Sequence, residues 1–315
     1  MRSRLQLQKV PSVLVACALF AIALFVLPGA ARAALKVVAT TSEYAALAAA
    51  IGGDRISVTT IAKPTEDPHF VDARPSQIVA MNRADLLIEG GAELEIGWLP
   101  PLLDGARNPR ILPGAAGHLV ASEGVQLVDI PASADRSQGD THIAGNPHFM
   151  LDPENARIVA AHLARALTAL DAAGKATFDA NLAEFDGALT AKMKEWSAAL
   201  APYAGRQIVT YHPSWRYFSR RFGLVADTFL EPKPGIPPSP PHLAEVIAKM
   251  AAGNIRVLLL EPYQPRKTAE AVAAHNGAQV VDVCQFPGAL PGTATYIDLI
   301  DTNVKRIAQA LAGGN

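Results

Sequence analysis

The chain has 315 residues, half of them hydrophobic, with 28 basic and 29 acidic side chains and a formal net charge of −1. At roughly 100–200 residues per domain, this length predicts one large or two medium domains. The nearly neutral balance argues against a nucleic-acid partner, which selects a concentrated basic surface, and against a polybasic membrane-surface binder. Because the chain holds only two cysteines, burial rather than disulfide bonding must stabilise the fold.

Residues 1–33 have the pattern of a secretory signal peptide: a basic start, a long apolar stretch and a small-x-small cleavage site, Ala-Arg-Ala, at 31–33. We expect cleavage before Ala34 and export to the periplasm. Since the apolar stretch is long, an uncleaved membrane anchor is an open alternative. The stretch LVAC, which ends at Cys17, resembles a lipoprotein processing box. The apolar run continues well past Cys17, so lipid anchoring ranks below simple cleavage.

In residues 34–174, short apolar runs alternate with helical patterns. Strand, helix and strand in this rhythm predict βαβ units and a mostly parallel sheet, so this segment is expected to form an N-terminal α/β lobe. An Asp followed by Pro opens the Ala-rich run at 152–170, which is typical of a helix start. The strands of this lobe are predicted at 35–41, 56–62 and 85–91.

Residues 175–204 contain about 25 helical residues without a Gly or Pro except Gly187, close to 40 Å at about 1.5 Å per residue. Such a length is unusual inside one α/β layer, so we predict a rigid linking helix. The alternation then restarts and predicts a C-terminal α/β lobe over 205–315. The expected fold class is α/β, with two lobes whose mostly parallel sheets are joined by one long rigid helix. The second lobe's strands are predicted at 207–212, 224–230, 257–262 and 279–284, and its closing helix at 296–313.

Three of the eight histidines lie beside a proline at a strand end or just before a helix: His69, His148 and His212. Ligand crevices of open α/β sheets lie outside the carboxyl ends of the strands. Imidazole is neutral near pH 7 and suits zinc, copper, iron and nickel. Three imidazoles converging from two lobes would make a compact metal site. The spacing matches no short metal motif, so three ordinary surface histidines remain an alternative on these residues alone.

The other five histidines have weaker settings. His142 lies in a flexible polar stretch six residues before His148, which favours a solvated loop over an accessory metal contact. The remaining four are expected on partly exposed helix faces, at a helix start or in a polar loop. They are His118, His162, His242 and His275.

Six stretches, in order across nearly the whole mature chain, resemble the metal-binding solute receptors of ABC importers, the zinc- and manganese-uptake family of periplasmic binding proteins. Any one match is weak, but six collinear matches are specific. The resemblance implies two α/β lobes bridged by a single long helix, with metal held in the crevice between lobes by His69, His148 and His212. The stretches are DPHFVDARPSQIVAMNRADLLIEGG, PHFMLDPENA, VTYHPSWRYFSRRFGL, PPSPPHLAEVI, LLLEPYQPRKTAEAVA and YIDLIDTNV.

The third ligand position bears on the choice of metal. Family members that take manganese tend to have a carboxylate there, as a harder ion prefers, whereas this chain has His212. A nitrogen-rich site favours Zn²⁺, which readily accepts four ligands in a tetrahedron. Copper would bind at least as well by affinity order, so preference in vitro does not identify the cargo. We expect Zn²⁺ as cargo, ahead of Mn²⁺.

The fourth ligand is open. The family places an Asp just after the last strand, where this chain has Cys284. The alternatives are water, Glu261, the Cys284 thiolate and Asp282. Water or Glu261 ranks slightly ahead of the thiolate, because a free Cys at a strand end is most often simply buried. Strand alternation predicts that Asp282 and Cys284 share a face.

The expected function is a non-enzymatic, monomeric receptor that delivers a divalent transition metal to the ABC permease of the inner membrane. Protonation of the histidines below about pH 6 should weaken binding. Two other functions stay open. Three histidines and a water would also suit a zinc hydrolase or hydratase, although the sequence offers no obvious general base. The other is a manganese-binding receptor or surface adhesin.

Overall fold

The computed structural model describes residues 33–132, 139 and 142–313. The predicted signal segment up to residue 32, with Cys17 in it, lies outside these ranges. Within them, no helix is both long and apolar enough to cross a membrane. The chain from Ala34 onwards packs as one unit and contains two four-stranded sheets.

The first lobe alternates strands with helices. Its strands pair in parallel throughout, and helices cover the sheet, so apolar side chains such as Val37, Val38, Leu86 and Leu87 are buried on both faces. Its elements are β1 (Leu35–Ala39), α1 (Ser42–Gly52), β2 (Ile56–Thr60), α2 (Pro75–Asn82), β3 (Leu86–Glu89), α3 (Leu99–Ala106), β4 (His118–Val120) and α4 (Pro153–Leu170). The strand order is β2-β1-β3-β4.

One long helix, α5 (Lys175–Leu200), leads from the first lobe to the second. Its 26 residues span about 39 Å at about 1.5 Å per residue. Gly187 does not interrupt it, and the chain leaves it through a short 3₁₀ turn at Ala201–Tyr203. The predicted α/β fold with a long helix between two parallel sheets is confirmed. The lobe boundaries at residues 174 and 205 stay predictions.

The second lobe repeats the alternation, and its strands also pair in parallel. Its elements are β5 (Gln207–Thr210), α6 (Arg216–Phe222), β6 (Val225–Phe229), α7 (Pro240–Ala252), β7 (Val257–Leu260), α8 (Arg266–Asn276), β8 (Gln279–Asp282) and α9 (Tyr296–Gly313). The strand order is β6-β5-β7-β8. Because the strands of each sheet are parallel, their carboxyl ends lie along one edge of that sheet, and the chain leaves each strand there through a loop.

A single apolar core joins the two lobes on the side of the long helix. It includes Leu47 and Phe178 together with Trp215 and Val257 of the second lobe. Helix α5 packs against α1, α4 and α9. Because the lobes share this core, the burial of its apolar side chains fixes the position of one lobe against the other on the side of the long helix.

The predicted strands begin close to the observed ones but run about two residues too far. Main-chain hydrogen bonds continue past the regular strand ends, as from Ile61 N to Ala39 O at 2.9 Å, so the apolar pattern outlasts the strand. Helix α3 and strand β4 were not predicted. His118 opens β4, so its assignment to a polar loop was wrong. Three residues give too little alternation to reveal a strand.

Candidate metal centre

Three histidines meet at the carboxyl ends of the two sheets. His69 lies in the loop after β2, His212 lies two residues after β5, and His148 precedes the short turn that leads into α4. Strand ends of open α/β sheets place loops around a crevice on a rigid support. The backbone N–H of His148 donates to Asn146 Oδ1 at 3.0 Å, which fixes its approach. Both lobes therefore contribute side chains to one cluster.

The three rings lie at a spacing that suits one ion. The candidate ligand atoms of His69, His148 and His212 all lie within 4.8 Å of one another. The His69 ring centroid is 5.3 Å from each of the other two, which are 5.1 Å apart. A Zn–N bond of about 2.0–2.1 Å places two ligand nitrogens at most about 4.2 Å apart. A small contraction would therefore bring all three nitrogens onto one ion.

Each ring is held through its Nδ1 atom by an oxygen behind it. The acceptor is Asp67 Oδ1 at 2.9 Å for His69, and Glu231 Oε2 at 2.7 Å for His212. For His148 it is Gln285 Oε1, at 2.8 Å.

These oxygens can only accept, so each Nδ1 carries the proton and each Nε2 carries a free lone pair. The Nε2 atoms of His69 and His148 are buried and have no hydrogen-bond partner among the described residues. Such atoms cost free energy unless something else binds them. Paired through Nδ1 and unpaired at Nε2, these rings have the arrangement of metal-ligating histidines.

Burial favours the neutral form of two of these rings, His148 and His212. It lowers the pKa of His148 well below the ordinary value of 6.5, and the neighbouring rings of His212 and His69 lower it further. Burial also lowers the pKa of His212, although the hydrogen bond to Glu231 opposes the change. Metal binding needs unprotonated imidazole. The rings are therefore ready to bind a cation at neutral pH.

The structure places His142 against the same cluster, not in a solvated loop as the sequence suggested. Its ring centroid lies 5.3 Å from that of His69, and the two planes meet at 33°. Its Nε2 atom is buried and has no hydrogen-bond partner in the part of the chain described. Burial lowers the pKa of His142 to about 3. Local patterns do not indicate this contact, because His69 and His142 lie far apart in the chain.

Cys284 and Asp282 do not share a face, contrary to prediction. The strand ends at Asp282, so alternation does not extend to Cys284. The Asp282 carboxylate pairs with Arg266, and its side chain is 43% exposed. Cys284 is fully buried, and burial raises the pKa of its thiol to about 12. Neither side chain belongs to the group of ligand atoms within 4.8 Å of one another.

Glu261 lies behind the cluster, buried at the end of β7. Its Oε2 accepts from Ser214 Oγ at 3.1 Å and from the Gln264 amide. Burial raises its pKa to about 7. Its Oε1 is buried and has no hydrogen-bond partner among the described residues, so the carboxyl group is only partly satisfied. It too lies outside the group of close ligand atoms.

Three residues around the cluster were not singled out from the sequence: Asp67, Glu231 and Gln285. Asp67 had a local signal, since it stands two residues before His69. Glu231 closely follows a strand, as an acid at a sheet edge often does. Gln285 had no local signal, because the histidine that it holds lies 137 positions away in the chain. Gln285 also donates through Nε2 to the Tyr263 hydroxyl at 2.8 Å, which fixes its Oε1 toward His148.

Two α/β lobes with shared helical packing and a cluster of neutral histidines at their sheet edges define a class, the bilobal metal receptors. The sequence model described as zinc-uptake complex component A, periplasmic, matches residues 37–310. The chain belongs to this family, whose members are metal-binding substrate-binding proteins of ABC transporters.

Curated relatives match over most of their length. The iron ABC transporter substrate-binding lipoprotein MtsA of Streptococcus pyogenes serotype M1 is 26% identical over 288 residues, 88% of this chain and 89% of that protein. The manganese ABC transporter substrate-binding lipoprotein PsaA of Streptococcus mitis is also 26% identical, over 287 residues, with the same coverage. The relatives are thus named for different metals.

Solved structures match the fold. The crystal structure of ZnuA is 25% identical, covers 88% of this chain and 99% of its own, and has a TM-score of 0.73. A manganese-bound periplasmic metal-binding protein from Candidatus Liberibacter asiaticus is 21% identical, covers 87% and 98%, and has a TM-score of 0.72. At that identity the second match bears on the fold alone.

Proposed function

We propose that this protein captures Zn²⁺ through His69, His148 and His212 and delivers it to the permease of an ABC importer. One observation carries the proposal. Three imidazoles from both lobes have ligand atoms within 4.8 Å of one another, and each is held through Nδ1 by an acceptor. Neutral, preoriented nitrogens of this kind are what a transition metal requires.

Zinc is proposed over manganese because of the donor set. The nearest carboxylates, Asp67 and Glu231, accept hydrogen bonds from the rings instead of facing the centre. Manganese favours oxygen ligands, whereas imidazole suits zinc. The relatives named for iron and manganese make a direct competition between metals the decisive measurement.

Delivery is proposed to need only small rearrangements. The continuous core that joins the lobes, together with α5, opposes a wide hinge motion. Release would follow when the permease disturbs the ligand geometry of one lobe. The protein acts as a monomer in this proposal, and the cargo itself is its only metal.

Export of the protein agrees with its family, but the form of its attachment needs revision. The relatives are named lipoproteins, which favours lipid anchoring over the simple cleavage expected above. We propose that the Cys17 thiol receives the anchor. Intact-mass analysis of membrane-extracted protein, with acyl labelling of wild type and Cys17→Ala, tests this. Loss of labelling in the variant supports an anchor, whereas a mature start near Ala34 in wild type refutes it.

A binding role is proposed over zinc hydrolysis. The two carboxylates nearest the rings are engaged by His69 and His212, so neither is placed to activate a water. Esterase or CO₂-hydration turnover above that of free zinc would contradict a purely binding role.

The main test is a metal titration of the exported chain. Metal-free protein is titrated with Zn²⁺, Mn²⁺ and Fe²⁺ against a chelator of known affinity, and the purified protein is analysed for its metal content. One equivalent of zinc, bound tighter than about micromolar, is expected. Absence of any transition metal that binds this tightly would refute the proposal.

A further inference from the structure

The loop after β3 has an unusual backbone. Gly91, Ala92 and Glu93 are left-handed in succession, with φ of 72°, 51° and 66°. For residues other than glycine this conformation is unfavourable, and it persists only where surrounding contacts hold it. The buried Glu95 carboxylate supplies them, since its Oε1 accepts from Gly90 N at 2.7 Å and its Oε2 from Gly91 N at 3.2 Å. The loop is therefore firmly held from beneath.

The tip of this loop holds the segment that carries His142. Glu93 Oε2 accepts from the backbone N–H of Ile143 at 2.5 Å. Gly145 N donates to His142 O at 3.1 Å, which closes a tight turn. A strained, well-supported loop thus holds the backbone of the segment that carries His142.

The ring of His142 faces the histidine cluster. It is as close to His69 as His148 and His212 are, with 5.3 Å between ring centroids in each case. With His148 and His212 it lines a cavity of about 210 Å³. Its Nε2 is buried without a hydrogen-bond partner within the described ranges, as the Nε2 atoms of His69 and His148 are. The His142 Nε2 atom is thus buried and unpaired like those of His69 and His148, but it is not among the ligand atoms that lie within 4.8 Å of one another.

We propose that His142 supplies the fourth ligand, so that zinc is held by four imidazole nitrogens; this step rests on the proposed function. Zinc prefers four ligands in a tetrahedron. Of the other protein candidates, Cys284 is in the core and Asp282 pairs with Arg266. Glu261 bonds to Ser214 through Oε2, and although its buried Oε1 has no hydrogen-bond partner among the described residues, it is not among the ligand atoms grouped with the three rings. His142 is preferred because its ring stands against that of His69.

His142 lies outside the group of atoms within 4.8 Å of one another, so coordination requires its ring, on the backbone that Glu93 holds, to rotate toward the ion. A coordination shell of four nitrogens has no anionic ligand, and it discriminates against manganese, which favours oxygen. The charge of the ion is balanced from behind by Asp67 and Glu231.

The test compares wild type, His142→Ala and His275→Ala, the last an exposed position on α8. X-ray absorption of the zinc-loaded proteins counts imidazole ligands, and chelator competition measures affinity. We expect four imidazoles in wild type and three in His142→Ala, with affinity for zinc lowered about tenfold or more. The preference for zinc over manganese should narrow in the same variant. His275→Ala should match wild type in both measurements.

The outcomes separate the two proposals. Zinc bound by three imidazoles and an oxygen in wild type, or an unchanged affinity in a folded His142→Ala, overturns the fourth ligand and leaves the receptor function standing. No zinc binding by wild type overturns both. Circular dichroism of each variant verifies that it is folded.

Discussion

Two successive residues after β8 lie in opposite surroundings. The Cys284 backbone is clamped in the core, where its N–H donates to Asn303 Oδ1 at 3.1 Å and its carbonyl accepts from Asn303 Nδ2 at 2.8 Å. Gln285, next along the chain, reaches the opposite way and holds His148. Both side chains are buried.

The comparison teaches that burial alone does not mark a ligand. The pocket of Cys284 is satisfied, since each backbone group has a partner and the thiol is kept protonated by burial. The histidine cluster is unsatisfied, because buried Nε2 atoms face one another without partners among the described residues. A cation would satisfy the unpaired nitrogens of the histidine cluster, whereas the Cys284 pocket has, in the part of the chain described, no unpaired group for a cation to bind.

The largest effect is expected from His148→Ala. Losing one of three nitrogens should weaken zinc affinity about a thousandfold, or about 4 kcal/mol. Chelator competition measures it, with His275→Ala as the matched exposed control. A loss of less than tenfold in a folded variant would mean that the cluster is not the metal centre.

Asn303→Ala tests the other side of the comparison. It leaves two buried backbone groups of Cys284 without partners and should lower the free energy of unfolding by about 3 kcal/mol. Urea unfolding of the metal-free protein measures it. Zinc affinity in the folded variant should stay close to that of wild type. A large loss of affinity would show that the surroundings of Cys284 belong to the metal site.

Glu231→Gln makes the support of His212 resemble that of His148, whose partner is already an amide. The hydrogen bond can persist, but the negative charge behind the ring is lost, so zinc affinity should fall about tenfold to hundredfold. The same competition assay measures the loss. An unchanged affinity would show that the carboxylate contributes nothing beyond geometry.

The stability of the metal-free protein should depend on pH through His148. Its pKa is lowered by folding, so below about pH 6.5 the unfolded chain binds a proton that the folded protein does not, and stability is lost as pH falls, by about 1.4 kcal/mol per pH unit. Burial raises the pKa of Glu95 and Glu261 to about 7, which acts in the opposite direction. The readout is therefore the difference between wild type and His148→Ala in urea unfolding. If the free energy of unfolding depends equally on pH in the two proteins, the predicted contribution of His148 is contradicted.

The smallest effect is expected from Cys284→Ser. A buried thiol with its pKa near 12 is not a thiolate ligand at neutral pH in the absence of metal. Zinc affinity should change by less than about threefold, or 0.7 kcal/mol. A tenfold loss would restore Cys284 as a ligand and remove the need for His142.

The alternation of apolar runs and helical patterns was enough to predict the fold, because parallel sheets with covering helices produce such runs directly. The prolines beside His69, His148 and His212 also indicated loops at sheet edges. The failures were local. Cys284 was placed with Asp282 because alternation was extended past the strand, and β4 was too short to detect.

The sequence by itself determined the layering, the long linking helix and the three histidines, since each depends on patterns within a short stretch. Only the tertiary structure decided which oxygen stands behind each ring, that His142 joins the cluster and that Cys284 does not. These contacts join residues up to 137 positions apart, as in His148 and Gln285. Apart from Asp67, two residues before His69, no local pattern encodes these contacts, because they depend on how two sheets and their loops pack together.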